Sequence, residues 1–216
     1  GLDTNLFSPT SESISTEQPT LLTTSSSDQP VKGFGVLLNA YAEILKHEPT
    51  VKLRVIGKLN KKSPHHKTID ELGLTGKIIF ESGLSDEQMR DAYRSATIYI
   101  CPSRYEGFGL PVAEAMSCGT PVITSNGGAL PEVVANAGVV VPAGNAQALA
   151  EQTIKLLRDD ALRAELSHQG RNRALEQFCW QKVASQYVAH YKMVIADFHT
   201  AKTLSSAPLQ VSHGNR

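Results

Sequence analysis

Two carboxylates, Glu106 and Glu114, are the residues of this 216-residue chain best spaced to do chemistry. Glu106 belongs to Pro102-Ser103-Arg104-Tyr105-Glu106-Gly107-Phe108-Gly109-Leu110, and Glu114 follows eight positions later in a helical-looking run. A carboxylate has two acceptor oxygens and can take both protons of a vicinal diol. Gly107 and Gly109 let a ligand approach the backbone. A helix opening at about residue 108 would aim unpaired N–H groups and its positive dipole end at the loop. That setting suits a diphosphate. A nucleotide sugar carries diols on its ribose and its hexose, with a diphosphate between them. One Glu on the loop and one along the helix could grip it at two points. A lone helical Glu is ordinarily just solvated, and paired carboxylates are also the equipment of a glycosidase. The glycine-rich helix start favours the nucleotide.

Such a loop needs a strand to deliver it. Apolar runs at 20–24, 53–56, 77–80, 97–101, 121–124 and 138–141 read as six short strands. Helical patterns separate them. Phe34, Leu37, Leu38, Tyr41, Ala42 and Leu45 recur at helical spacing, and Ser85-Asp86-Glu87-Gln88 is a capping box. Alternation of this kind predicts an α/β fold: a single Rossmann-like domain, with a roughly six-stranded parallel sheet and helices on both faces. Ligands of such sheets bind beyond the carboxyl ends of the strands. The site is therefore expected among 25–32, 57–62, 81–84, 103–109 and 125–128. Residues 1–19 read as a linker and 200–216 as a disordered tail. A closing helix over 181–199 carries an apolar stripe of Val183, Tyr187, Tyr191, Val194, Ile195 and Phe198.

Composition excludes other partners. The 21 basic and 21 acidic residues cancel, giving no electrostatic case for nucleic acid or for a polybasic membrane contact. No apolar run is long enough to span a bilayer, and nothing resembles a signal peptide. Cys101, Cys118 and Cys179 are widely spaced and odd in number, against a disulfide framework or a zinc site. His65-His66 lacks the further ligands a metal needs. The expectation is a cytoplasmic protein with no metal and no cofactor.

The segment Glu106-Gly-Phe-Gly-Leu-Pro-Val-Ala-Glu114-Ala-Met, followed by Cys118-Gly-Thr-Pro-Val, resembles the Glu-x7-Glu segment of the glycogen-synthase-like retaining glycosyltransferases of group 1. Other pieces match in order. Gly1-Leu-Asp-Thr-Asn-Leu-Phe-Ser-Pro resembles the hinge between that family's two domains, and Lys32-Gly33-Phe34 its phosphate loop. Phe80-Glu-Ser-Gly83 resembles its base-binding turn. Gly127-Gly128-Ala-Leu-Pro131-Glu132 and Phe178-Cys-Trp180 resemble two later segments. The resemblance implies the C-terminal, donor-binding half of a two-domain GT-B fold. In that role Glu106 contacts the transferred hexose, and backbone N–H groups at Phe108, Gly109 and Leu110 meet sugar and diphosphate. Glu114 takes the ribose hydroxyls. Lys32 neutralises the diphosphate, and backbone at Gly83 and Leu84 reads the base. The donor would be a UDP-, GDP- or ADP-sugar.

Two departures qualify the match. The family usually has an Arg six residues before the Lys-Gly lysine, where this chain has Ser26; the resemblance then implies that Ser26 and Ser27 hydroxyls donate to the diphosphate instead, that Lys58 or Lys61 reaches in, or that donor binding is weakened. The family's N-terminal domain, with the acceptor site and a histidine near the reacting sugar, has no counterpart here. The half-cleft is expected to bind donor without turnover. Peripheral contact at the inner membrane would belong to the missing domain. Two rival readings are a stand-alone nucleotide-sugar-binding module and a fragment of a GT-B-fold nucleotide-sugar epimerase.

Overall fold

The computed structural model describes residues 1–10, 18–25 and 29–205, with side chains as far as residue 198. Strands β1 (Thr20–Thr24), β2 (Lys52–Ile56), β3 (Ile78–Glu81), β4 (Ile98–Cys101), β5 (Val122–Ser125) and β6 (Val139–Val141) form one sheet. Their order is β3-β2-β1-β4-β5-β6 and every pairing is parallel. The chain first steps outward from β1 to β3. It then returns to place β4 on the other side of β1, so the switch point lies between β1 and β4.

Strand side chains alternate between two cores. Leu21, Ile98, Ile100 and Ile123 face one; Leu22, Tyr99, Cys101 and Val122 face the other. The first core is closed by α1 (Phe34–His47), α2 (His65–Glu71) and α6 (Ala146–Arg158), through Leu37, Leu38, Ile44, Ile69, Leu149 and Leu156. The second is closed by α3 (Asp86–Ser95), α4 (Leu110–Ser117) and α5 (Leu130–Val134), through Ala92, Tyr93, Val112, Met116, Leu130 and Val134. Each large apolar side chain buried this way contributes about 1.5–3 kcal/mol. The six-stranded parallel sheet covered on both faces is the architecture the sequence predicts.

Local chemistry sets the helix ends. The capping box of α3 forms both its bonds: Gln88 N–H donates to Ser85 Oγ at 3.3 Å, and Ser85 N–H donates to Gln88 Oε1 at 2.9 Å. Asn145 and Asp159 cap α6 and α7 (Asp160–Arg173) through their side chains. Helix α4 opens at Leu110, two residues later than the pattern suggests, because Gly109 takes a left-handed φ of 94° as its N-cap. Residues 159–177 read in sequence as one helix, but the structure divides them: α7 ends at Arg173 and a π-turn, Ala174–Phe178, follows. Helix α8 runs Trp180–Ser205, starting one residue before the expected 181–199 and continuing through 200–205. No Gly or Pro interrupts the sequence from Trp180 to Ser205.

Within the predicted 1–19 linker, residues 1–10 lie against the body. Leu2 and Phe7 are buried in the second core. Leu2 N–H donates to Phe178 O at 2.7 Å, and Trp180 N–H donates to Leu2 O at 3.3 Å, pinning the start of the chain beside the start of α8. Arg171 Nη1 reaches the carbonyls of Thr4, Phe7 and Ser117 at 3.1, 3.0 and 2.9 Å. Burial pushes its pKa down. Arg94 Nε donates to Ser8 O at 2.6 Å. Replacing Arg171 by Met would keep the stem and remove the donor from three carbonyls, of which Phe7 O alone keeps a second partner, Ser117 Oγ. The expected loss is about 2–4 kcal/mol in urea denaturation, against less than about 0.5 kcal/mol for an exposed control such as Lys67→Met.

Candidate functional site

Three loops meet beyond the carboxyl ends of β1, β4 and β5. The loop after β1 closes in a 3-10 turn, Pro30–Lys32, and Gly33 follows with φ 68°. A Cβ at Gly33 would lie 2.1 Å from Pro102 O, so only glycine lets this turn press on the end of β4. Arg104 N–H donates to Val31 O at 2.7 Å, tying the two loops together. From the other side, Ser125 Oγ donates to Ser103 O, and Ala129 N–H donates to Glu106 O at 2.9 Å. At Gly128, φ 62°, a Cβ would lie 2.3 Å from Glu106 O. The 103–106 loop is thus held between two neighbours by backbone contacts that tolerate no side chain.

That clamp fixes Glu106. Its Oε1 accepts from Lys32 Nζ at 2.8 Å and from Ser103 Oγ at 2.8 Å. The Lys32 and Glu106 side chains are 28 % and 18 % exposed, so the pair is half-shielded yet open to a ligand. A cleft of ≈ 600 Å³ adjoins it, lined by Thr24, Ser25, Lys32, Gly57, Lys58 and Ser82. Ser25 Oγ is buried with no hydrogen-bond partner among the described residues. Ser26 lies outside the described residues.

Beyond Glu106 the backbone turns into α4. Gly109 is buried, while Phe108 and Leu110 are exposed at the helix start. The Phe108 ring stands edge-on to Phe178 at 5.4 Å, and Arg173 lies over the same Phe178 ring. Glu114 is the fifth residue of α4 and half-buried. Desolvation by burial raises its pKa, the hydrogen bond from Tyr93 OH at 2.8 Å pulls it back, and the charge of Asp86 raises it again. Asp86 opens α3 directly after the 81–85 turn, so the Glu114 carboxylate and that turn share one electrostatic neighbourhood.

The turn carrying Gly83 and Leu84 is anchored at its start. Arg54 Nε and Nη2 each donate to Glu81 at 2.7 Å, a bidentate pair that lowers the Glu81 pKa mainly through the hydrogen bond. Gly83 is exposed with φ 74° and open space where a Cβ would project, while Leu84 packs on the second core. Arg104 lines a separate hollow of ≈ 440 Å³ with Phe34, His65 and Gly144. His65 packs edge-on to Phe34, and the His66 ring contacts Asn60 O at 3.0 Å.

Lys32 and Glu106, singled out from sequence, are in direct contact; Glu114 is further along α4 with a different partner. Three contributors were missed. Ser103 lies inside the quoted segment, and its serine type was the available signal. Gly128 was quoted without its close approach to Glu106. Tyr93 gave no signal, because an aromatic on the inner face of α3 reads as core.

No helix among the described residues is long and apolar enough to cross a membrane. The family described as glycosyl transferases group 1 matches residues 10–173. The MMP alpha-(1->4)-mannosyltransferase of Mycolicibacterium hassiacum is 40 % identical over 200 residues, covering 91 % of this chain and 47 % of that protein. Among solved structures, the C-terminal domain of a glycosyl transferase group 1 family protein from Francisella tularensis has a TM-score of 0.71 at 25 % identity. The match covers 83 % of this chain and 100 % of that one. Anabaena HepE, solved in complex with UDP-glucose, has a TM-score of 0.74 at 23 % identity, covering 96 % of this chain and 56 % of that one. The chain spans about half the length, or less, of the curated relatives it matches. Fold, site segment and family match agree: the chain belongs to the glycosyl transferases group 1 family, as a C-terminal Rossmann-like domain of the GT-B fold.

Proposed function

We propose that this domain binds a nucleotide-diphosphate sugar as the donor half of a retaining hexosyltransferase. The observation that carries the reading is the Lys32–Glu106 pair held at the switch point, at the opening of α4. Glu106, with Oε1 already engaged, offers its second oxygen to a hydroxyl of the transferred hexose. Lys32 carries the positive charge for the diphosphate and stabilises the leaving group as charge develops. Backbone N–H groups at Phe108, Gly109 and Leu110, with the dipole of α4, meet sugar and phosphates. Glu114 accepts from the ribose hydroxyls, and the backbone of Gly83 and Leu84 reads the base. Retention would follow from front-face attack, with the departing phosphate assisting the incoming hydroxyl.

UDP, GDP and ADP remain the nucleotides to test. The name of the Mycolicibacterium relative makes a mannosyl donor the first sugar to try. In this reading the acceptor site lies on a second domain, as the greater length of the relatives suggests, so this domain alone is expected to bind without turnover. A stand-alone binding module would behave identically in that assay. Joining the domain to the coding region upstream, and recovering transfer, separates the two.

Calorimetric titration with UDP, GDP, ADP and their sugar conjugates tests the reading, with saturable binding to one base expected. Glu114→Ala should weaken that binding about 10- to 100-fold, the loss of one or two charged hydrogen bonds; unchanged affinity removes the ribose role. Lys32→Ala should weaken the nucleoside diphosphate about tenfold and leave the bare nucleoside unaffected. Equal losses for both ligands would contradict the phosphate role.

A further inference from the structure

We propose that Tyr93 is a positioning residue for Glu114: its hydroxyl holds one carboxylate oxygen and leaves the other directed to the ribose. The inference rests on the donor-binding reading above. Tyr41, Tyr93 and Tyr99 are all at most 1 % exposed. A buried hydroxyl needs a partner. Tyr41 finds two backbone carbonyls, Val51 O at 3.0 Å and Lys77 O at 3.1 Å. Tyr93 instead spends its proton on a carboxylate at the half-buried rim, Glu114 Oε2 at 2.8 Å.

The tyrosine is itself immobilised. Its ring meets Phe7 edge-on at 6.1 Å and Tyr99 at 5.6 Å. Its backbone carbonyl accepts from Thr120 Oγ1 at 2.8 Å. Tyr99 OH pairs with Thr24 Oγ1 at 2.6 Å, and Thr24 lines the cleft. A donor fixed from three sides can set the rotamer of the acceptor it holds. Because the bond falls on Oε2, Oε1 is the oxygen left for a diol.

The bond also bears on charge. The groups facing Glu114 are Tyr93 and Asp86 from α3, Tyr99 from β4 and Cys118, the residue just past the end of its own helix. Desolvation and Asp86 favour the protonated form of Glu114, and the Tyr93 hydroxyl opposes them. A protonated carboxyl is a poorer acceptor for a diol. Nucleotide affinity should therefore fall as pH drops through the raised pKa of Glu114. Without the Tyr93 hydroxyl the fall should begin at higher pH.

Tyr93→Phe keeps the ring and removes the donor. Affinities for UDP, GDP and ADP would be measured across pH for the parent, Tyr93→Phe, Glu114→Gln and the double variant. In parallel, the Glu114 carboxyl carbon would be titrated by NMR in the ligand-free parent and Tyr93→Phe. Expected results are a midpoint displaced to higher pH in Tyr93→Phe by both measurements and affinity about tenfold weaker near that midpoint. No further loss is expected on adding Tyr93→Phe to Glu114→Gln. A merely structural Tyr93 would lower stability but leave the midpoint in place and act equally in the Glu114→Gln background. Superposable pH profiles of parent and Tyr93→Phe, while Glu114→Ala still weakens binding, overturn this proposal alone. Unaltered binding in Glu114→Ala, or no saturable binding by the parent, overturns the donor reading and this proposal with it.

Discussion

Strands β1 and β4 are neighbours, yet the chain leaves them in opposite directions, β1 toward β2 and β4 toward β5. Their following loops must part, and a crevice opens above the sheet without any side chain being arranged to make one. The remaining design of the site limits how far those loops part. Gly33 against Pro102 O draws the first loop onto the end of β4, and Gly128 against Glu106 O supports the second from behind. Both glycines have positive φ as well as no room, so two independent requirements select the same residue type. The result is a narrow gap across which Lys32 reaches Glu106.

Residues far from the crevice keep its walls in place. Arg54 grips Glu81 at the end of β3 and fixes the turn that begins there. Arg173 donates to Val133 O at 2.7 Å and to Glu132 O at 2.5 Å, closing the end of α5, while its guanidinium lies over Phe178. Phe178 in turn abuts Phe108. Arginine suits these places because its planar fork satisfies several acceptors at once and its face packs on an aromatic ring. Backbone carbonyls at helix ends and loops would otherwise be buried without partners.

The sheet was legible because strand alternation into two cores needs β-branched and aliphatic residues at regular positions, and local pattern reports that directly. The Glu106 loop was legible for a similar reason: its glycines and carboxylate are consecutive in sequence. What pattern could not show involves residues distant in sequence. Tyr93 meets Glu114 across two helices, and nothing in an inward-facing tyrosine distinguishes a carboxylate partner from a carbonyl. Helix α5 has only five residues, too few for a helical period to announce it, although Pro131 in its first turn is a helix-start signal. The π-turn after α7 has no sequence period to announce it. Leu2 and Phe7 lie next to a polar stretch that reads as linker, and the partners that hold them are more than 160 residues away: Phe178 and Trp180 for Leu2, Arg171 for Phe7.

The charge arrangement of the ligand-free crevice follows from the same geometry. A lone lysine at the mouth of a parallel sheet would be long, mobile and strongly hydrated. Pairing with Glu106 confines Lys32 before any ligand arrives, so part of its rotamer entropy is already lost. The same pairing opposes binding of an anion, because Glu106 is a like charge close by. Ser103 reduces that opposition by donating to the shared oxygen, and the dipole of α4 acts in the same direction. In the proposed reading the diphosphate takes Lys32 while a sugar hydroxyl compensates Glu106. Both exchanges must then occur together, which favours a ligand carrying phosphate and sugar over phosphate alone. The preference would arise from one ion pair whose two members need different parts of the same molecule.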